Sequence, residues 1–154
     1  MKKTNNKGFS LVELIIVIAI MAILIGVLAP QYIKYVEKSR ISADKDTVDS
    51  LTKAVQTACT DDDYYDDLNA GDTVTISKNN GIQTTGTGLQ NAVDEFYGTT
   101  GGNDANKKFK SKAFANETVT IQVVTVTNAS TGASTLQASV YSTNSNPYDP
   151  ASFK

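Results

Sequence analysis

The chain of 154 residues contains no Trp, no His, a single Cys and only three Pro. Without His, the usual proton shuttle near neutral pH and the commonest metal ligand are both missing. One cysteine, Cys59, excludes an intrachain disulfide and any thiolate zinc cluster. Charge of one sign is also lacking. Lys plus Arg number 14 against 16 Asp plus Glu, so the net charge of -2 offers no basic footprint for nucleic acid. No P-loop, no Gly-x-Ser-x-Gly elbow, no His-centred triad and no HExxH helix is present. Hydrolases built on His and thiolate metal sites are therefore excluded. The sequence suggests no metal and no cofactor.

One long hydrophobic run stands out against that background. Eighteen of the 21 residues from Phe9 to Ala29 are apolar, with only Ser10, Glu13 and Gly26 interrupting. As a helix the run is about 31 Å long, close to the roughly 30 Å hydrocarbon core of a bilayer. Residues 1–8 before it carry Lys2, Lys3 and Lys7. Without these three the rest has 11 basic against 16 acidic side chains, a balance of -5. The chain thus reads as a basic leader (1–8), a membrane-length helix (9–29), its amphipathic continuation (30–59) and a polar globular part (60–154).

Three readings of the amino terminus compete. A secretory signal is opposed by Pro30, which would directly follow a cut after Val27-Leu28-Ala29, and by an apolar run longer than a usual signal core. A plain membrane anchor has no use for Glu13, a carboxylate costing roughly 2.5–3.5 kcal/mol if placed centrally in a membrane helix. The third reading accounts for that residue. The stretch Lys7-Gly8-Phe9-Ser10-Leu11-Val12-Glu13-Leu14 resembles the class III signal of type IV pilins and pseudopilins: a basic leader ending in Gly, then Phe, three residues, Glu and an apolar helix.

The resemblance implies cleavage between Gly8 and Phe9 by a membrane prepilin peptidase, and N-methylation of Phe9 by the same enzyme. It implies that Glu13 is retained for assembly. A carboxylate in hydrocarbon must be neutralised or find a cation, and cleavage creates one at Phe9. In a filament Glu13 would meet the Phe9 amine of an adjacent subunit, and a misplaced subunit would leave a buried charge unpaired. Gly26 and Pro30 are the weak points of the helix. Pro30 removes the hydrogen bond to the Gly26 carbonyl, so the pair either permits a bend or local melting, or Pro30 marks the end of the membrane segment.

The resemblance further implies a homo-oligomeric helical filament, an assembly ATPase, a membrane platform protein and minor pilins as partners. Membrane lipid is the partner before assembly. The subunit would wait in the cytoplasmic membrane, amino terminus inside, and end extracellularly in a pilus or fimbrium serving adhesion, motility or DNA uptake. A pseudopilin of a secretion or competence machine, or a membrane-anchored binding module, are the alternatives. Several members of the family close their carboxy-terminal region with a disulfide, which this chain lacks the cysteines to form. Some bind Ca²⁺. Five Asp lie between Asp61 and Asp67, but the spacing lacks the EF-hand Gly and final Glu, and a solvated acidic loop is the plainer reading.

Beyond the membrane-length run, residues 31–58 contain no Gly or Pro. Ile41, Val48, Leu51, Val55 and Ala58 form one apolar stripe. Its expected partner is an antiparallel sheet, giving an α+β fold. Tyr32 and Tyr35 suit an interfacial aromatic belt. Cys59 is expected to pack as a small hydrophobe. Strands are expected at 73–77, 117–127 and 135–142, the last two forming a hairpin with Val119, Ile121 and Val123 pointing one way and Leu136, Ala138 and Val140 inward. Lys78-Asn79-Asn80-Gly81 signals a turn, 86–88 a loop, and 89–97 a short helix capped by Gly98. Lys108, Lys110 and Lys112 alternate with Phe109, Ser111 and Ala113, reading as an edge strand or a basic loop. Asn116-Glu117-Thr118 and Asn128-Ala129-Ser130 match a glycosylation pattern that is common by chance. Residues 143–154 are expected to form an irregular tail.

Overall fold

A helix without glycine or proline breaks for most of its length dominates the secondary structure. In the computed structural model, which describes residues 9–143, α1 runs from Leu11 to Ala58. Pro30 lies inside it and does not end it. The chain divides into two units, the first ending at Val36 and the second beginning at Glu37. The leader and all but the first residue of the expected tail, Pro147 and Pro150 among them, lie outside the described residues.

The second unit is α+β. The carboxy-terminal part of α1 packs on a four-stranded antiparallel sheet. Its strands are β1 (Thr73–Ser77), β2 (Gly81–Thr84), β3 (Thr118–Thr127) and β4 (Ser134–Tyr141), in the order β2-β1-β3-β4. The register pairs Ile76 with Ile82, Val74 with Ile121, and Val123 with Ala138. The period of two puts Val74, Ile76, Val119, Ile121 and Val123 on one face, and all five are fully buried. The stripe on α1 meets them: Val48, Leu51, Val55 and Ala58 are completely buried in the same core. Leu136, Ala138 and Val140 on β4 are only partly buried against it, as fits an edge strand. Burying a single Val, Leu or Ile side chain contributes about 1.5–3 kcal/mol.

Two shorter helices, which touch each other, complete the second unit. α2 (Asp62–Tyr65) is capped by the Asp61 carboxylate, which accepts the Asp63 N–H at 3.0 Å. α3 runs from Thr87 to Tyr97, two residues earlier than its apolar spacing indicates. The expected loop at 86–88 therefore shrinks to Gly86, which precedes the helix. Gly88 is needed within it because a Cβ there would lie 2.5 Å from the Asp67 carbonyl oxygen. Gly98 ends α3 with φ 75° and ψ 44°, the left-handed cap that the sequence signals. Lys107 then reaches back, donating to the Tyr97 and Gly98 carbonyls at 3.2 and 3.1 Å, which complements the helix dipole.

One strand is not anticipated by the sequence, and one of the two readings of the Lys108–Ala113 segment is set aside. β2 has only Ile82 as a large apolar residue, too little pattern to read alone. It exists because β1 presents a free edge and the Asn79-Asn80 turn returns the chain to it. The segment from Lys108 to Ala113 is not a strand, because β2 and β4 occupy the two edges of the sheet. It is an extended basic loop that keeps the alternation, with Phe109 and Ser111 buried.

Candidate functional site: an exposed apolar helix and its carboxylates

The first unit solves no packing problem of its own. Phe9 is 90% exposed, and the large apolar side chains from Leu11 to Leu28 are 51–73% exposed. The most apolar 18-residue window of α1 has a mean hydropathy of 3.1 and buries nothing. This helix is long and apolar enough to cross a membrane. Exposed hydrocarbon all round a helix needs lipid or other helices as its solvent. Tyr32 and Tyr35 follow it, each 70% exposed.

Glu13 has a local task that its position in an apolar run conceals. The Ser10 carbonyl accepts the Leu14 N–H at 3.2 Å, making Ser10 the residue that caps the helix. The Glu13 carboxylate reaches back to the Ser10 N–H at 2.8 Å. Ser10-x-x-Glu13 is thus the acidic arm of a capping box, with negative charge at the positive end of the helix dipole. The four-residue pattern was present in the sequence and gave the signal for it. The structure therefore brings Glu13 onto the backbone of the residue after Phe9. Gly8 lies outside the described residues. A Cβ on Gly26 would touch nothing within 4 Å. Pro30 sits in continuous helix.

Two further acids on α1 act at long range, and sequence patterning gave no sign of them. Asp44, 3% exposed, accepts the Lys110 N–H at 2.9 Å and the Ser111 N–H at 2.8 Å. Seven residues earlier on the same helix face, Glu37 accepts the Lys112 N–H. Successive backbone donors of the 108–112 loop are satisfied by side chains rather than by a neighbouring strand. Phe109 and Phe114, with ring centroids 4.5 Å apart, anchor the loop from beneath.

Asp94, Tyr64 and Cys59 in the second unit serve packing and local hydrogen bonding. Asp94 binds the Thr99 hydroxyl at 2.6 Å and the Gly101 and Gly102 N–H groups at 2.6 and 2.8 Å. Burial alone would raise its pKa, but these three donors outweigh burial and hold it below the ordinary value. The Tyr64 hydroxyl donates to Glu95, and that bond, with minor burial and nearby acids, pushes its pKa up to about 12. Burial raises the pKa of Cys59, leaving a thiol rather than a thiolate. Among the described residues no three His, Cys, Asp or Glu side chains converge on one point.

Known proteins give the exposed helix a context. Residues 3–29 match the family described as the prokaryotic N-terminal methylation motif. The amino terminus thus carries a prokaryotic N-terminal methylation motif. The chain is also similar to the type IV major fimbrial protein FimA of Dichelobacter nodosus, 35% identical over 69 residues. That match covers 45% of this chain and 43% of FimA. It is 37% identical over 64 residues to the type IV major pilin protein PilA of Myxococcus xanthus, covering 42% of this chain and 29% of PilA. The matches thus span less than half the length of either relative. No solved structure matches the chain. The methylation motif includes the residues of the exposed apolar helix up to Ala29, whereas the carboxylate clasp at Glu37 and Asp44 lies beyond the motif.

Proposed function

We propose that the chain is a structural subunit that is cut between Gly8 and Phe9 and polymerises through its amino-terminal helix into a type IV pilus filament. One observation carries this reading: the residues matching the prepilin motif are those that leave a membrane-length apolar helix without any covering. Relatives whose names describe major fimbrial and pilin proteins favour a pilin over a pseudopilin. On this reading residues 9–29 cross the cytoplasmic membrane once before assembly and line the filament core afterwards, with 30–59 continuing the helix and 60–154 forming the outer globular part. The task is structural rather than catalytic.

The physics of assembly follows from the exposed helix. Moving it from lipid to a helix bundle gains little from hydrophobic burial, because lipid tails are as apolar as its side chains. Close packing and the Glu13 contact must therefore supply selectivity. Extraction from lipid requires external work, which an assembly ATPase and a membrane platform would provide. In the free subunit the Ser10 N–H occupies Glu13. Cleavage places a cationic nitrogen at Phe9, and in the filament the Phe9 nitrogen of a neighbouring subunit becomes the better partner for this carboxylate. Gly26 and Pro30, where the helix lacks one backbone hydrogen bond, permit the adjustment that bundling demands.

The mass and amino-terminal sequence of the protein isolated from cells test the reading. N-methyl-Phe at residue 9 is expected. A first residue at Pro30 would indicate ordinary secretion and overturn it.

A further inference from the structure

The two edges of the sheet are finished differently. On the outer side of β2, Asp104 exchanges backbone bonds with Ile82 at 2.9 and 3.0 Å, and the Asn103 side chain accepts the Thr84 N–H at 3.0 Å. β4 has no such cover among the described residues. In β3, Val123 bonds Gly71 and Asp72 on the β1 side, so Gln122 and Val124 turn their backbone groups toward β4. Their partners there are Ser139 and Gln137. Leu136, Ala138 and Val140 therefore turn N–H and C=O outward, and among the described residues no other group bonds them. Exposed edges are usually blunted by charge, Pro, a bulge or brevity. β4 has eight residues, none of them charged, Pro or Gly, and its pairing with β3 is unbroken.

The core is unfinished at the same edge. Leu136, Ala138 and Val140 stay half-buried, whereas Val119, Ile121 and Val123 one strand inward are fully buried. Leu136 and Ala138 border an open groove of about 240 Å³ with Gln56, Cys59 and Thr60. The edge lacks an uncharged strand with apolar side chains at alternate positions, and β4 is itself such a strand. We propose that β4 pairs antiparallel with β4 of a second copy, about a two-fold axis at Ala138. In that register Ala138 faces Ala138 and Leu136 faces Val140, each pair exchanging both of its backbone bonds. The half-buried row of one copy continues into that of the other, and no like charges meet at the axis. The segment 144–154 of the same chain suits the edge less well. Pro147 and Pro150 fall on alternate sides of any strand, so one of them always faces the ladder without an N–H. A two-fold contact closes on itself and cannot repeat along a polar filament, so this pairing is separate from polymerisation through the amino-terminal helix.

A single strand pair is smaller than a stable interface, so the contact is transient and covalent trapping reads it. The test uses the full chain in detergent with Cys59→Ala, so that only added thiols react. Gln137 and Ser139 lie opposite each other across the proposed contact as a pair without hydrogen bonds, where Cβ atoms come closest. Chains carrying Gln137→Cys and isotopically heavy chains carrying Ser139→Cys are mixed in equal amounts, oxidised briefly and sorted by mass spectrometry. Random collision gives about twice as much mixed disulfide as either self disulfide, and the proposed register is expected to raise that ratio to about tenfold, because each position lies two residues away from its own copy. A ratio at the random value, an excess of self disulfides, or no disulfide at all overturns the proposal. None of these results depends on cleavage or methylation at Phe9, so the pilin reading stands or falls by its own test.

Discussion

The unit ending at Val36 and the unit beginning at Glu37 share one helix and use it in opposite ways. In the first, large apolar side chains surround the axis and stay exposed. In the second, one stripe is apolar, and it is completely buried from Val48 to Ala58 apart from Ala54, which is nearly so. The difference shows that helicity and hydrophobicity alone do not decide where a segment belongs; the angular distribution of apolar residues does. It also separates two uses of a carboxylate. Glu13 caps the end of a helix that needs a partner, whereas Asp44 holds a loop to a helix that already has one.

That contrast predicts where mutations act. The largest effect on assembly is expected at Glu13. Glu13→Ala should reduce sheared surface filaments at least about tenfold, through loss of a desolvated charge pair. Membrane insertion and the unfolding of the globular unit should be unchanged. A parallel loss of the folded unit would erase the distinction between the two regions.

Asp44→Ala should have the reverse profile. It leaves the buried Ser111 N–H and its neighbour at Lys110 without acceptors, at a cost of about 2–4 kcal/mol. Urea unfolding of the full chain in detergent reads this directly. Asp44→Asn, which keeps one acceptor oxygen, should lose roughly half as much. Gly88→Ala comes next. The added methyl meets the Asp67 carbonyl oxygen at 2.5 Å, and the shift it forces should cost about 1–3 kcal/mol by the same measurement.

The smallest effect is spectroscopic. Tyr64 has its pKa raised to about 12 by the bond to Glu95. A raised tyrosine pKa means that the contact contributes fully below the ordinary value of 10.0 and fades as pH climbs through the folded value. Tyrosinate absorbance should therefore show a late-titrating ring, which Glu95→Gln moves back toward the others. An unchanged titration in that variant would dissociate α3 from the Tyr64 contact.

Much of this contrast was legible in the sequence. The membrane-length run, the stripe from Ile41 to Ala58 and the alternation of 119, 121 and 123 each repeat a period of one element, and such periods survive folding. Gly98 announced the end of α3 because only a left-handed residue stops a helix there so cheaply. β2 was not legible, since its strand character comes from the neighbour it pairs with rather than from its own residues. The Lys108–Ala113 alternation was real, but its hydrogen bonds went to Asp44 and Glu37, 66 and 75 positions away in sequence from Lys110 and Lys112. No local pattern encodes that. The Glu13 cap is encoded locally by Ser10-x-x-Glu13.

The central claim is that Glu13 exchanges a bond within its own chain for one to a neighbour when filaments form. Zero-length carbodiimide coupling of purified fibres, followed by peptide mass spectrometry, tests it directly. The account predicts an amide between the nitrogen of Phe9 in one subunit and the carboxyl of Glu13 in another, identified by mixing isotopically light and heavy protein. Fibres in which that amide forms only within single chains, or in which residues 1–8 remain attached, would contradict it.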